Sequence, residues 1–458
     1  MKFTKMSLVA ALLIGSSAFA IDNVKVSGDA KLYYSTSDSV ANAGAGNASN
    51  SLFNKGNSTG EAALRIGLTA DLTQNISAGV SGTVISTLGL YNNLVSATWT
   101  GGTEDTYVMD EAWLAATVGK TTGKIGRMKL DTPLVFSETW SIIPNTFEAA
   151  VVINQDIPDT TLVGAYVGQH DSAQVIGGGM NQASSPFTSF YNGAYTIGVI
   201  NNSVKPLTVQ GWYYGAQTNI DFGTLIQDPT IIAPNPTITV SHIDAFWLQA
   251  DLDAADLGVK GLKAGVQYTK NTYDLKTAIA GVPGSTNNDA YALMLGYNVE
   301  NMATVKVAYS QVGKDNDSGM GAGFNLATVA DGNGILRGSL DNRSGAQSKL
   351  YTEAWWNYGY VTQNDAKTWS LSATGKVVGV DLLAQYTNVN QSKSAGDNDM
   401  KEFTVTAGKD FGPLNATLAY IYTKADDLNT QDKNGVNFNT DGKGKAFNTV
   451  QAYLTYNF

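Results

Sequence analysis

The chain of 458 residues has no cysteine, only two histidines and only 10 prolines. Without cysteine, the protein can form neither disulfides nor thiolate nucleophiles, and cysteine-based zinc sites are excluded. Charged residues make up only 15% of the chain, and no apolar run beyond residue 20 is long enough for a membrane-spanning helix. The 48 glycines and 22 tyrosines favour a fold of many strands and turns.

The first twenty residues have the pattern of an export signal. Lys2 and Lys5 give a basic start, a short apolar core runs over 7–15, and Ala18-Phe-Ala20 fits a cleavage site for signal peptidase. The apolar core is too short to span a bilayer. We expect a signal peptide at 1–20, a single mature domain at 21–458, and export from the cytoplasm.

Acidic residues outnumber basic ones, and the formal net charge is −10 at pH 7. Loss of Lys2 and Lys5 with the signal peptide would change this charge to −12 (−10 − 2). A chain of this charge does not attract nucleic acid. If acidic residues line an interior, they favour cations over anions there.

The last twelve residues alternate between apolar and polar side chains. Phe458, Tyr456, Leu454, Ala452 and Val450 share one face, and polar side chains and Tyr453 lie between them. A period of two residues predicts a strand with one apolar face and one polar face. The stretch also resembles the C-terminal signature of bacterial outer-membrane barrels, which implies that the apolar face meets lipid and the polar face lines a lumen.

The same alternation recurs along the chain in segments of about ten residues, joined alternately by short turns and long polar loops. Eighteen strands are predicted: 24–34, 61–71, 76–86, 107–118, 123–129, 147–153, 160–168, 193–201, 206–217, 241–252, 261–272, 289–298, 303–312, 367–375, 379–389, 400–409, 414–424 and 447–458. An even count brings the last strand beside the first, as closure requires. We therefore predict an all-β transmembrane antiparallel barrel with short periplasmic turns and long extracellular loops.

Two points of this strand count stay open. Because 123–129 and 147–153 are short, a barrel of sixteen strands is the main alternative. The segment 351–360 looks strand-like, but a further strand there would put the turn at 375–379 on the wrong side, so we place it in a long extracellular loop.

A barrel of eighteen strands is too wide for its own side chains to fill, so its interior is expected to hold water. The predicted inward faces carry charged side chains that would be costly against lipid. As lumen-facing residues we expect Arg65, Lys263, Lys306 and Asp381. The plainer interpretation of each is a solvated side chain with no further role.

The segment 125–148 is more apolar than an ordinary surface loop. Its middle is apolar at Leu134, Val135 and Phe136 and again at Trp140, Ile142 and Ile143, which is unusual for a surface loop. Folded inward around 130–146, the loop could bury these residues and narrow the pore. Asp131 and Glu138 would then face Arg127 and Lys129 across the channel. The alternative is a hairpin loop packed on its neighbours.

The residues Gly126-Arg127, then Leu130-Asp-Thr-Pro-Leu-Val135, then Ile143-Pro-Asn-Thr-Phe-Glu148 resemble the constriction loop of the OprD-type porins and related major outer-membrane porins. The resemblance implies an eighteen-stranded barrel, often a weak homotrimer, that passes small hydrophilic solutes. It also implies constriction roles for Arg127, Asp131 and Glu148. The chain has few arginines, so the arginine ladder of the solute-specific members is not found.

The first hypothesis is thus an outer-membrane porin in the lipid bilayer, with passive diffusion of small solutes and ions and a mild preference for cations. The alternative is a surface adhesin or structural barrel with binding loops. His170 and Ser172 have the spacing of barrel phospholipases, but this short match lacks a third partner, and no enzyme activity is expected. No cofactor is expected beyond Ca²⁺ in acidic loops, at Asp426, Asp427 and Asp432 or at Asp315 and Asp317.

Overall fold

A computed structural model of the protein describes residues 22–40, 51–98, 105–137, 142–170, 188–222, 238–277, 284–300, 302–313, 347–392, 397–432 and 435–458. The eighteen strands are β1 Asp22–Ser37, β2 Ser58–Thr73, β3 Ile76–Ser86, β4 Asp105–Val118, β5 Thr121–Met128, β6 Phe147–Asn154, β7 Thr160–His170, β8 Thr188–Asn201, β9 Leu207–Phe222, β10 Ile238–Asp253, β11 Leu262–Thr277, β12 Ser285–Val299, β13 Ala303–Val312, β14 Lys367–Val377, β15 Val380–Asn390, β16 Met400–Phe411, β17 Leu414–Ala425 and β18 Phe447–Asn457. Short 3-10 turns occupy Lys55–Asn57, Ala254–Leu257 and Tyr358–Tyr360. The expected signal peptide lies outside the described residues.

The strands form one closed antiparallel barrel. Each strand pairs with its neighbours in sequence, and β1 pairs with both β2 and β18. In the closing pair, Asp29 lies opposite Asn457 and Ser37 opposite Thr449. The prediction of an eighteen-stranded barrel is confirmed, and the sixteen-stranded alternative is wrong because the short β5 and β6 complete the ladder between β4 and β7.

Connections alternate in length between the two edges of the barrel. At one edge, the short-turn edge, β2 and β3 are joined by residues 74–75 and β14 and β15 by residues 378–379. Val378 and Gly379 both have positive φ, at 51° and 76°, which is the two-residue turn that matches the twist of a hairpin. The opposite, long-loop edge carries connections such as 313–366 and 426–446.

Large apolar side chains point outward and are exposed. On β12, Leu293 and Leu295 are 49% and 50% exposed, whereas Ala290 and Ala292, on the other face, are fully buried. A water-soluble protein buries its large apolar residues. The inverse arrangement, repeated around the barrel, suits an outer surface in contact with hydrocarbon. Among the described residues, no helix is long and apolar enough to cross a bilayer.

Aromatic side chains mark the two ends of this apolar surface. Trp369 and Tyr386 pack 5.0 Å apart on adjacent strands in the half nearer the long-loop edge. Near the short-turn edge, Tyr456 packs 6.4 Å from Phe458. The Phe458 ring lies over Gly28 of β1, where a Cβ would approach the ring to 2.6 Å. Two such girdles at headgroup depth are what a lipid-facing barrel requires.

Several strands run further toward the long-loop edge than the sequence pattern predicts. β2 begins at Ser58 rather than 61, and β9 continues to Phe222 rather than 217. Above the apolar surface both faces of a strand meet polar surroundings, so the alternation that marks a strand in the sequence is lost while the backbone ladder continues.

Candidate functional site

The connection between β5 and β6, which we call the first inward segment (residues 129–146), enters the barrel. The backbone N–H of Leu134 donates a hydrogen bond to the Tyr214 hydroxyl, with 3.3 Å between N and O. Leu130 and Val135 pack in one buried cluster with the inward side chains of β7 to β10. Further along, Ile142 packs against Tyr33 in a second cluster that also contains the β2 and β3 wall residues Ala63 and Ile85. The described apolar side chains Leu134, Val135, Phe136 and Ile142 are therefore buried against the inner wall.

The described end of a second connection, between β13 and β14, also lies inside the barrel. In what we call the second inward segment (residues 347–366), Tyr351 N–H donates to the Gln267 side chain of β11 at 3.0 Å. Thr352 and Ser310 of β13 share a hydrogen bond of 2.6 Å. The strand-like stretch 351–360 is thus not a strand, as expected, but it lies along the inner wall rather than outside the barrel.

The carboxylate of Glu402 on β16 fixes the middle of the second inward segment. It accepts hydrogen bonds from the backbone N–H groups of Trp355 at 2.8 Å, Trp356 at 3.1 Å and Asn357 at 2.7 Å. The Asn357 side-chain amide donates to it as well, at 2.7 Å. Glu402 is only 1% exposed, so these donors replace its hydration. We call this arrangement the Glu402 clamp.

Glu353, in the same segment, is half-buried. Its carboxyl group accepts hydrogen bonds from the Ser348 backbone N–H at 2.9 Å and from the Ser348 hydroxyl at 2.6 Å. Burial raises the pKa of Glu353 to about 8, and the Ser348 hydrogen bonds and Lys306 oppose this rise. The two Ser348 hydrogen bonds help to hold the start of the second inward segment in place.

The two inward segments meet inside the barrel. The Lys349 ammonium forms an ion pair with Asp131 and lies 4.9 Å from the centre of the Phe136 ring. The first segment covers the inner faces of β7 to β10, and the second contacts β11, β13, β15, β16 and β17. Together they reduce the open cross-section of the barrel.

Charged side chains of β1, β2 and β4, together with Lys129 at the start of the first inward segment, form a group that we call the wall cluster: Asp29, Lys31, Arg65, Asp110, Glu111 and Lys129. Arg65 lies at its centre, with Nε 2.6 Å from an Asp110 oxygen and Nη1 3.9 Å from Asp29. Arg65 Nη2 also bonds Glu111, which Lys129 approaches to 3.9 Å. The side chains of Lys129 and Arg65 are 36% and 26% exposed. This wall therefore presents partly hydrated charge to the lumen.

Asp110 and Glu111 are adjacent in β4, yet both point inward. The pairing of β3 with β4 shifts between Ser81 and Gly82, where an extra residue of β4 is accommodated. Such a bulge places two successive side chains on the same face. Sequence reasoning missed both residues, because plain alternation puts one of them in lipid. Two successive acids in a strand could have indicated the bulge, because a carboxylate that faces hydrocarbon is costly.

The structure does not place Arg127 and Glu148 at the constriction. They lie opposite each other on β5 and β6 and form an ion pair of 2.7 Å. Arg127 lies two residues after Ile125, on the same face of β5, and Ile125 is 62% exposed on the outer surface. It also donates to the carbonyl of Met109 at 2.7 Å, and Met109 is itself outward and 48% exposed. The pair therefore lies on the outer face near the long-loop edge.

The other expected site residues divide between the lumen and its entrance. Arg65 and Lys129 belong to the wall cluster, and Asp131 joins the two inward segments. The alternation of side chains along the strands places the other three predicted lumen residues, Lys263, Lys306 and Asp381, on the inner face. Lys306 lies in the ladder beside Gly296, whereas Lys263 and Asp381 form exposed ion pairs near the short-turn edge, with Asp253 at 3.7 Å and Lys376 at 3.1 Å. Glu138 lies outside the described residues.

The groups considered for other chemistry are engaged in structural contacts. Asp426 accepts a hydrogen bond of 2.7 Å from the Lys443 ammonium, and Asp427 accepts one from the Tyr360 hydroxyl. His170 is buried and stacks on Phe147 at 6.4 Å. In the part of the chain that the structure describes, no three acidic or histidine side chains gather as a metal site would require. Asp315, Asp317 and Ser172 lie outside that part.

No family model matches the chain, and no curated protein does. Solved structures do match it over nearly its whole length. Pseudomonas aeruginosa OccK8 (OprE) superposes with a TM-score of 0.65 at 14% identity, covering 96% of this chain and 99% of that one. Acinetobacter baumannii OccAB1 gives 0.65 at 11% identity, with 97% and 98% covered. Pseudomonas aeruginosa OpdK, solved with vanillate, gives 0.63 at 12% identity, with 96% and 100% covered.

These neighbours are outer-membrane porins of the OprD type, also called Occ channels. The chain therefore has the closed eighteen-stranded barrel fold of the OprD-type porins.

Proposed function

We propose that the protein is a porin of the bacterial outer membrane, which passes small hydrophilic solutes and ions by passive diffusion. The observation that carries this proposal is the partly hydrated wall cluster, which faces two inward segments inside a barrel with an apolar exterior. The wall alone is too wide to be filled by side chains. The inward segments narrow the passage, and the charges that remain exposed define its electrostatic field.

The proposed transport needs no bond-making step, so no enzyme activity is part of the proposal. The short-turn edge would face the periplasm and the long-loop edge the exterior, as in bacterial barrels. In the wall cluster, the charges of the three acidic and three basic side chains cancel. A mild preference for cations, from the acidic chain as a whole, is therefore proposed rather than a strong one. OpdK was solved with vanillate, an aromatic carboxylate, but here the wall cations are paired with acids, so anion specificity is not proposed.

Purified protein inserted into a planar lipid bilayer should produce stepwise increases in ion current. In a KCl gradient, the reversal potential should have the sign of a weakly cation-preferring channel. Size-exclusion chromatography in detergent would show whether the insertion unit is a trimer, as the family resemblance implies. Folded protein that inserts without conducting would remove the porin proposal and favour the adhesin alternative.

A further inference from the structure

Below the second inward segment, near the short-turn edge, the barrel interior has a recess of about 640 Å³. Its lining combines hydroxyl and amide side chains with apolar ones such as Met302 and Leu383, and Trp355 of the inward segment borders it. This volume falls within the range of about 300–1,000 Å³ that is typical of sites for small molecules. The recess lies apart from the wall cluster, on the side of β12 to β17.

Trp355 is an exposed aromatic ring on a rigid support. Its backbone is fixed by the Glu402 clamp, and the nearby carbonyl of Glu353 accepts a hydrogen bond from Gln385 at 2.6 Å. Its own side chain nevertheless stays 36% exposed. A tryptophan on a fixed backbone presents a large flat apolar face and has few side-chain rotations to lose on binding, which is how aromatic residues serve in binding sites.

Apart from one charged pair, the polar side chains that line the recess are neutral. Thr304, Thr374, Thr406 and Thr417 contribute hydroxyl groups, each able to donate and to accept a hydrogen bond. The charged pair in the lining, Lys376 and Asp381, is joined at 3.1 Å, so each charge already has an opposite partner. A charged solute would find no unpaired counter-charge among the described residues that line this recess.

We infer that this recess is a binding subsite for neutral saccharides, with the Trp355 ring as the stacking surface for one sugar ring. A sugar has an apolar face of C–H groups and a rim of hydroxyl groups that both donate and accept hydrogen bonds. These two features match the aromatic face and the threonine lining, respectively. The inference rests on the proposed porin function and assigns a solute class to it.

The test is the current through the full-length protein in a planar bilayer, with maltose added in increasing concentration. The wild type should show interruptions of the current that become more frequent with maltose. Trp355→Ala should raise the maltose concentration for half-maximal block by roughly tenfold, and Trp355→Phe by less, because a smaller aromatic face remains. Sodium benzoate at equal concentration should block less than maltose.

The matched control is Trp369→Ala, since Trp369 is similarly exposed, at 42%, but on the outer surface. This control should leave the maltose block unchanged. A steady current that ignores maltose, an equal loss of block in Trp355→Ala and Trp369→Ala, or stronger block by benzoate would each overturn the saccharide subsite and leave the porin function standing. Absence of any current would instead overturn the porin function, and this inference with it.

Discussion

Replacing Arg65 with alanine is expected to convert a weakly selective channel into a strongly cation-selective one. Arg65 neutralises Asp110 at 2.6 Å and lies within reach of Asp29 and Glu111. Without the guanidinium, three carboxylates remain in the wall cluster against Lys31 and Lys129. Because these charges lie in a narrowed lumen with low-dielectric walls, they attract cations and repel anions.

The measurement is the reversal potential in a KCl gradient, with Arg127→Ala as the matched control. Arg127 makes an ion pair of similar length, 2.7 Å, but on the outer face of the barrel. Its removal should leave the reversal potential unchanged, although the sequence alone suggested a constriction role for it. Arg65→Ala should also lower the free energy of unfolding, by up to about 3 kcal/mol, because the nearly buried Asp110 loses its cation. An unchanged potential in Arg65→Ala, or equal shifts in both variants, would contradict this account of the lumen.

Replacing Glu402 with alanine is expected to release the second inward segment and to widen the channel. Three backbone N–H groups and one side-chain amide lose their acceptor. Each unsatisfied buried donor costs about 1–3 kcal/mol, so the segment should leave its place on the wall. The barrel itself should stay closed, because the Glu402 side chain makes none of the backbone hydrogen bonds between the strands.

Single-channel conductance should therefore rise several-fold in Glu402→Ala, with larger current fluctuations. Glu402→Gln is the control, because it keeps a carbonyl oxygen of the same shape for part of the clamp, and it should show a smaller effect. A conductance like that of the wild type in Glu402→Ala would mean that the second inward segment does not limit the current.

Side-chain alternation predicts the barrel and most of its strands, but it leaves the count open between eighteen and sixteen because β5 and β6 are short. It works on strands such as β12 and β13, where Leu293, Leu295 and Val307 face outward and Ala292 and Lys306 face inward. The alternation is reliable on these strands because the outer face must be apolar to contact hydrocarbon, whatever the inner face contacts.

Alternation fails where an inward segment covers the wall. Met128 is buried beneath the first inward segment while Ile125 is exposed outside, so both faces of β5 carry apolar residues. From the local pattern alone, the outward face of β5 is ambiguous, so alternation does not decide on which face Arg127 lies. The pairing of Arg127 with Glu148 and its contact with Met109 depend on the register of three strands, which no single segment contains.

The two inward segments show the same limit. The apolar middle of the first, including Leu134 and Val135, indicates an inward path from the sequence alone. The second has an equally apolar stretch around Ala354 and Trp355, and the same argument applied to it would have predicted its position. What no local argument could give is the Glu402 clamp, which joins residues 45 to 47 positions apart.

In a porin, the inward side chains of this barrel should contact water while their outward neighbours contact lipid. Because the chain has no cysteine, single cysteines can be introduced without background, and a charged, water-soluble thiol reagent can be applied during current recording. At Lys129→Cys, in the lumen, the reagent should change the single-channel current within the recording. At Ile125→Cys, four residues away on the outer face, it should have no effect. Equal reaction at both positions, or reaction only at residue 125, would contradict the account.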